Sequence, residues 1–438
     1  MGVQNPVIVI PGITASSLQD YYQVSPETVW GVLKKDELRA ALHPNDRRYE
    51  LVEPARVEAE ALFKIVYGDL IEELRTELST PAAQTPVYPF VYDWRQPLEI
   101  TARHLQAFIE EVIGRSSLSR HYHQAGYPAK PAVDIVAHSM GGLVVAGYLA
   151  MAGARSQVGR VVTIATPFGG SIEAPIKVAT GTADLGETQP PSPRDRFGAR
   201  LTPALYHLLP DFTAAVQAAE GIPADLFKVD AWQSSVLESI GDALALYGPS
   251  PPSTRAARRE AARGILQEML DEARAYRKRV DSLDLAACGL SSDRWLCLVG
   301  VDATTRVTMP IRSNRGKPEF ELRSRDRAND WGHKDPELAV QTGDGTVPFR
   351  GALPSFIPLE RLVCLRPKDF GYWEVRDRAL SLAAGFHGAL PTMNLVHRLT
   401  AAFLLDKPGR KGLGGWRPPG VARDQWNPPI ARLPDRSR

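Results

Sequence analysis

Short apolar runs alternate with segments of helical periodicity along most of this chain. Six runs have strand length and strand composition: Val7–Ile10, Val87–Tyr92, Val133–Val136, Val161–Ala165, Trp295–Val299 and Arg361–Leu365. The first five lead into loops that carry Gly, Pro, Ser or Asp. Strands separated by helical segments predict a mostly parallel central sheet with helices on both faces. Such sheets hold their ligands just beyond the carboxyl ends of the strands. Those loops are therefore where chemistry is expected.

The alternation fails between about Ile172 and Leu290. This stretch opens with a Pro- and Gly-rich loop, Gly186–Pro193, and continues through Leu205-Tyr206-His207-Leu208-Leu209-Pro210. After Pro251-Pro252-Ser253 a long helix is predicted, with Ala257, Ala261, Ile265, Met269 and Ala273 on one face. The other face is basic: Arg255, Arg258, Arg259, Arg263, Arg274, Arg277, Lys278 and Arg279. Its first reading is a solvated outer face, and its second is a cap helix lying on an anionic lipid surface. The expected plan is a core in two parts, 1–171 and 291–405, interrupted by a mainly helical cap or lid over 172–290. The segment 406–438 has eight Lys/Arg, three Asp and no apolar period, and reads as an extended basic Pro/Gly-rich tail.

Composition narrows the class. With 438 residues, 44% hydrophobic and 23% charged, the chain is globular. A net charge of +2 gives no reason to expect nucleic acid as a partner. Three cysteines (Cys288, Cys297 and Cys364) are too few for a disulfide scaffold and have no zinc spacing. The apolar run Val7–Ile10 is too short for a secretory signal, and Pro6 stands where a myristoylation site needs Ser or Thr. Ile135 to Ala154 is free of Asp, Glu, Lys and Arg over the length of a membrane span. Yet it contains His138, Ser139 and Gly141-Gly142, so a strand, a tight turn and a buried helix explain it better. A cytoplasmic protein, with peripheral membrane contact as an addition, is the expectation.

The segment Asp134 to Val145 carries the most chemistry. A β-branched strand enters Ala137-His138-Ser139-Met140-Gly141 and leaves into an apolar helix. This is the setting of a nucleophile elbow, in which a strained turn exposes the serine hydroxyl. The positions two before and two after the serine must be small, and Ala137 and Gly141 are. The helix N-terminus behind Ser139 favours negative charge there. His138 is adjacent to Ser139, so its side chain should point elsewhere and be packed or hydrogen-bonded.

A serine hydroxyl needs a base, and the base needs an orienting carboxylate. After an elbow of this kind the chain order is serine, acid, histidine. Gly343-Asp344-Gly345 supplies the acid in a glycine-flanked turn, and Gly385-Phe386-His387-Gly388 supplies a histidine on a loop. His397 competes, but it falls in a helical run and is expected to be structural. His43, His104, His121, His123, His207 and His333 lack a matching setting. Two backbone N–H groups should form an oxyanion hole, those of Ile13, after the first strand, and Met140. The side chains of Ile13 and Met140 would suit an apolar acyl group.

These residues resemble the lecithin:cholesterol acyltransferase family, which includes lysosomal phospholipase A2. The matching segments are Val9–Gly12, Tyr92-Asp93-Trp94-Arg95, Ala137–Gly141, Thr166-Pro167-Phe168-Gly169-Gly170-Ser171, Gly343–Val347 and His387, in family order. The resemblance implies an α/β-hydrolase fold with a lidded cap, a Ser139–Asp344–His387 triad, and oxyanion donors at Ile13 and Met140. It implies an acyl-enzyme attacked by water or by an acceptor alcohol. The early disulfide-closed loop of the secreted members has no counterpart, since no cysteine precedes Cys288. Asp93 and Arg95 could line the site or form a buried ion pair, and the ion pair is the preferred role.

The leading function is a serine lipid acyl hydrolase or O-acyltransferase acting on phospholipid or other long-chain esters, with no metal or cofactor called for. Two alternatives stand beside it. One is a carboxylesterase for small soluble esters. The other is a non-catalytic lipid-binding or interaction protein on a hydrolase scaffold.

Overall fold

The computed structural model describes residues 3–181, 195–248, 250, 252–321, 326–371, 374 and 385–437. The expected Gly186–Pro193 loop and Pro251 lie outside them. A six-stranded sheet forms the centre, in the spatial order Val363–Leu365, Trp295–Gly300, Val158–Ile164, Val133–His138, Val7–Ile10, Val87–Pro89. Every neighbouring pair is parallel. The register aligns Pro89, Val9, Val136, Val162 and Leu296 across it. All six expected runs are strands. Two are shorter than read: the run from Val87 stops at Pro89, and Arg361 belongs to a short 3₁₀ turn before Val363.

Successive strand side chains point to opposite faces, so each strand feeds two cores. Val7, Val9, Val136 and Leu298 pack with helices Lys64–Glu77 and Asn394–Leu404. Ile8, Ile10, Ile135 and Ala137 pack with helices Leu98–Ser117, Met140–Ala152 and Arg255–Asp281. Parallel strands covered on both sides favour apolar residues at nearly every position, which is why they read as near-continuous runs.

Three small sheets among the described residues were not foreseen, the smallest pairing Thr305–Arg306 antiparallel with Arg327–Ala328. Ser16–Asp20 pairs antiparallel with Glu27–Trp30 and with Val57–Leu62, immediately after the first strand's loop. Met309–Asn314 pairs with Lys317–Phe320 and with Val216–Ala218.

The helix Arg255–Asp281 exists, but its buried face is rotated from the expected one. Ala257 is exposed and Ala261 and Ile265 only half-buried, while Ala262, Leu266, Met269, Leu270, Ala273, Tyr276, Arg277 and Val280 are buried. Tyr276 sets this face by donating its hydroxyl to the Leu143 carbonyl at 2.9 Å on the helix behind Ser139. Arg277 is buried as well, donating to the carbonyls of His207 and Leu209 and pairing with Asp211. Arg263, Arg274 and Arg279 pair with Asp230, Asp225 and Glu99. Much of the basic face is therefore turned to acids of the protein itself.

Residues 406–437 form turns and irregular chain without a helix or strand, and they are packed. Leu413, Val421, Trp426, Ile430 and Leu433 are buried. Trp416 exchanges backbone hydrogen bonds with Cys364 at 2.8 and 3.1 Å, covering the exposed edge of the strand Val363–Leu365. Among the described residues, no helix is long and apolar enough to cross a membrane.

Candidate active site

The first strand, the strand Val133–His138 and the loop around Asp344 converge at the carboxyl edge of the sheet. Ser139 lies between its strand and the helix Met140–Ala152, at φ 52° and ψ −127°. That is a left-handed conformation for a residue with a side chain, a strain found where a turn must present its side chain outward. The helix passes so close to the first strand that a Cβ on Gly141 would lie 2.7 Å from the Pro11 carbonyl oxygen. Glycine is the residue that this crossing admits. A Cβ on Gly12 would in turn meet Ser139 Cβ at 3.0 Å, so the first loop lies directly against the serine.

The structure brings Ser139, His387 and Asp344 together. Ser139 Oγ is 2.9 Å from His387 Nε2, and His387 Nδ1 is 2.7 Å from Asp344 Oδ2. The three are 6%, 4% and 1% exposed. Asp344 Oδ1 accepts the N–H groups of Thr346 at 2.9 Å and Val347 at 2.7 Å, which fixes the carboxylate and leaves Oδ2 to the imidazole. The His387 N–H donates to the Asp344 carbonyl at 3.1 Å, so the two residues are also tied through the backbone. His387 is not on a loop: residues 385–389 are helical. Phe386, Ala389 and Leu390 are buried against the sheet, which pins this turn.

Ile13 follows the first strand and lines the cleft above Ser139. Met140 is the first residue of its helix, where backbone N–H groups have no intrahelical acceptor. Its side chain does not face an acyl group, contrary to expectation. It is fully buried in the core, because the residue after the elbow begins the inward face of the helix.

His138 points away from Ser139, as adjacency requires. Its Nδ1 is 2.8 Å from the Tyr67 hydroxyl and its Nε2 is 3.1 Å from the His387 carbonyl. Burial, reinforced by the neighbouring His387 ring, holds His138 well below the usual histidine range. It is neutral at ordinary pH. His397 lies within its helix with Nε2 2.7 Å from the Pro391 carbonyl, away from the cleft.

Asp93 and Arg95 form a bidentate ion pair, at 2.8 Å for each contact, in which Arg95 is buried and Asp93 half-buried, and Arg95 also reaches Glu50 at 3.3 Å. Neither lines the cleft. Their neighbours hold the first loop instead. The Tyr92 hydroxyl donates to the Pro11 carbonyl at 2.9 Å, and the Trp94 indole to the Ser16 carbonyl at 3.1 Å. The Ser171 hydroxyl donates to the Thr346 carbonyl at 2.6 Å, fastening the Pro167–Ser171 segment to the Asp344 loop.

A cleft of about 310 Å³ opens over Ser139. One wall is Ile13, Phe63, Ile65, Val66 and Val32, the other Pro167, Ala174, Leu205, Leu208 and Val347. Glu173, Lys35 and Lys177 are its charged members. Sequence reasoning missed Tyr67 and the residues of 63–66 in this wall. Their apolar character at the start of a helix does not say which neighbour they face.

The parallel sheet, the strained serine and the helix that follows it define an α/β-hydrolase fold. Within it, residues 75–230 match the family model described as lecithin:cholesterol acyltransferase. That stretch holds Tyr92–Arg95, Ser139 and Thr166–Ser171, so the resemblance drawn from the motifs extends to a family-level match there. A solved structure described as "The crystal structure of Tle4-Tli4 complex" is 16% identical, with 91% of this chain and 99% of that chain covered and a TM-score of 0.53. At that identity the likeness is one of fold. A second, "Phospholipase PlaB from Legionella pneumophila in complex with thio-NAD", is 11% identical, covers 73% of this chain and 48% of that one, and has a TM-score of 0.30. No curated protein matches the chain.

Proposed function

We propose that this protein is a serine-dependent lipid acyl hydrolase or O-acyltransferase, acting on phospholipid or other long-chain esters through an acyl-enzyme on Ser139. The observation that carries this is the hydrogen-bonded chain Ser139–His387–Asp344 at the floor of an apolar cleft. Ser139 Oγ attacks the ester carbonyl while His387 Nε2 takes its proton and passes it to the leaving alcohol. Asp344 holds Nδ1–H and stabilises the imidazolium. The N–H groups of Ile13 and Met140 receive the oxyanion, each worth about 10²–10³ in rate. Water or an acceptor alcohol then attacks the acyl-enzyme, with His387 acting as base.

The apolar walls favour a long acyl chain over the small-ester reading. Segment 172–290 contributes Ala174, Leu205 and Leu208 to the cleft, which supports its role as a cap. Val32 and Ile65 stand at the cleft and are 54% and 53% exposed, and Leu33 beside them is 99% exposed. An apolar rim continuous with the cleft supports action at a lipid surface, a better place for membrane contact than the paired face of Arg255–Asp281.

The test is hydrolysis of p-nitrophenyl esters from acetyl to palmitoyl by wild type and Ser139→Ala. The reading expects activity that rises with chain length and disappears in the variant. Activity confined to acetyl and butyryl esters would establish the small-ester alternative. Absence of Ser139-dependent turnover on every ester would leave the non-catalytic reading.

A further inference from the structure

Tyr67 and His138 lie beside the site without belonging to the Ser139–His387–Asp344 chain. Tyr67 is 1% exposed, on the helix Lys64–Glu77. Its oxygen accepts the Gly12 N–H at 3.0 Å and stands 2.8 Å from His138 Nδ1. His138 Nε2 stands 3.1 Å from the His387 carbonyl.

A carbonyl oxygen can only accept, so His138 Nε2 carries the proton. Its Nδ1 is then the acceptor, and the Tyr67 hydroxyl donates to it. The tyrosine's lone pair remains for Gly12. Every donor has one direction: Gly12 N–H to Tyr67, Tyr67 O–H to His138, His138 Nε2–H to His387 C=O. With its N–H donated to Asp344, the His387 backbone is clamped at both polar groups.

We propose that Tyr67 and His138 are positioning residues. Through this relay they hold the first loop, which carries Ile13, in register with the backbone of the base His387. The proposal rests on the reading of Ser139 and His387 as nucleophile and base. Deleting the Tyr67 hydroxyl frees the Gly12 N–H and leaves Nδ1 without its donor, but the tyrosine ring that lines the cleft stays. The loss should therefore fall on turnover and not on substrate binding.

The experiment measures kcat and KM on a long-chain p-nitrophenyl ester, and the rate of Ser139 labelling by a fluorophosphonate. The proteins are wild type, Tyr67→Phe, His138→Leu, His138→Gln and the double variant Tyr67→Phe/His138→Leu. Each variant's thermal melt and far-ultraviolet dichroism are compared with wild type. Tyr67→Phe is expected to lower kcat and labelling about 10- to 100-fold, the scale of a misplaced reacting group, with KM within about twofold. His138→Gln keeps a nitrogen donor at the ε position and should retain more activity than His138→Leu. The double variant should lose much less than the product of the two single losses, since either change breaks the same relay. Folded Tyr67→Phe with wild-type kcat, or equal losses in His138→Gln and His138→Leu, would overturn the proposal. So would multiplied losses in the double variant. Wild type that is neither labelled at Ser139 nor active would overturn the Ser139 reading itself, a result distinct from each of these.

Discussion

Ser139 holds its hydroxyl outward only because small residues surround the turn. The left-handed backbone there costs of the order of 1–3 kcal/mol, which the surrounding packing must offset. Gly141→Ala places a methyl against the Pro11 carbonyl, so the protein should lose about 1–3 kcal/mol in urea unfolding and lose Ser139 labelling with it. Unchanged unfolding would mean that the loop can retreat. Asp344→Asn keeps the shape but no longer holds His387 as the Nδ1–H tautomer. It should lower kcat by about 10⁴-fold with little change in fold, read by ester hydrolysis and a melting curve. At this scale much of the candidate site was legible. Ser139 announces itself by the strand before it and the helix after it, and Asp344 and His387 by glycine-flanked settings in the right chain order. Tyr67 and the burial of the Met140 side chain were not legible. Each sits in an apolar helical pattern, and what distinguishes them is a contact with a residue far away in sequence.

The elements divide in the same way. The six strands of the sheet were readable because burial on both faces leaves mostly apolar residues, with Asp134 a buried exception. The sheet built from Ser16–Asp20, Glu27–Trp30 and Val57–Leu62 was not, because its buried positions include Ser16 and Asp20 and its outward ones Glu58 and Glu60. Polar residues on both faces erase the alternation that marks a half-buried strand. The C-terminal segment misled for a related reason: its buried residues are spaced by loops and follow no period. Trp426 anchors it, donating its indole N–H to the Leu362 carbonyl at 2.8 Å. Trp426→Ala should cost about 3–5 kcal/mol, checked by chemical denaturation. A cost near zero would mean that the segment is dispensable to the core.

Asp134 gives the central sheet a pH-dependent stability. It is buried near the start of its strand, where it accepts from Gln4 at 2.9 Å and Asn5 at 3.0 Å, and burial pushes its carboxyl up to about 6. The folded state therefore binds a proton that the unfolded chain releases from about pH 4 upward. The stabilisation from this group is fully present below the unfolded value and is lost as pH rises through about 6. The stability of Asp134→Asn minus that of wild type should increase between pH 4 and 7 in urea titrations. A flat difference would contradict this.

For the whole molecule, the sheet sets where the loops meet, and the loops set what can react there. The first loop is held by Tyr92, Trp94 and Tyr67, the Asp344 loop by Ser171, and His387 by Asp344 and His138. The apolar cleft above them joins an exposed apolar rim at Val32, Leu33 and Ile65. A substrate long enough to span both would bury its chain while its carbonyl meets Ser139. The central claim is that such a substrate leaves its acyl group on Ser139. The direct measurement is mass spectrometry of the protein quenched in acid during turnover of a palmitoyl ester. A palmitoyl group on the peptide containing Ser139, absent from Ser139→Ala and shed on dilution into buffer, is the predicted result. Turnover with no acylated Ser139 peptide at any quench time, even in Asp344→Asn where deacylation is slowed, would contradict the account.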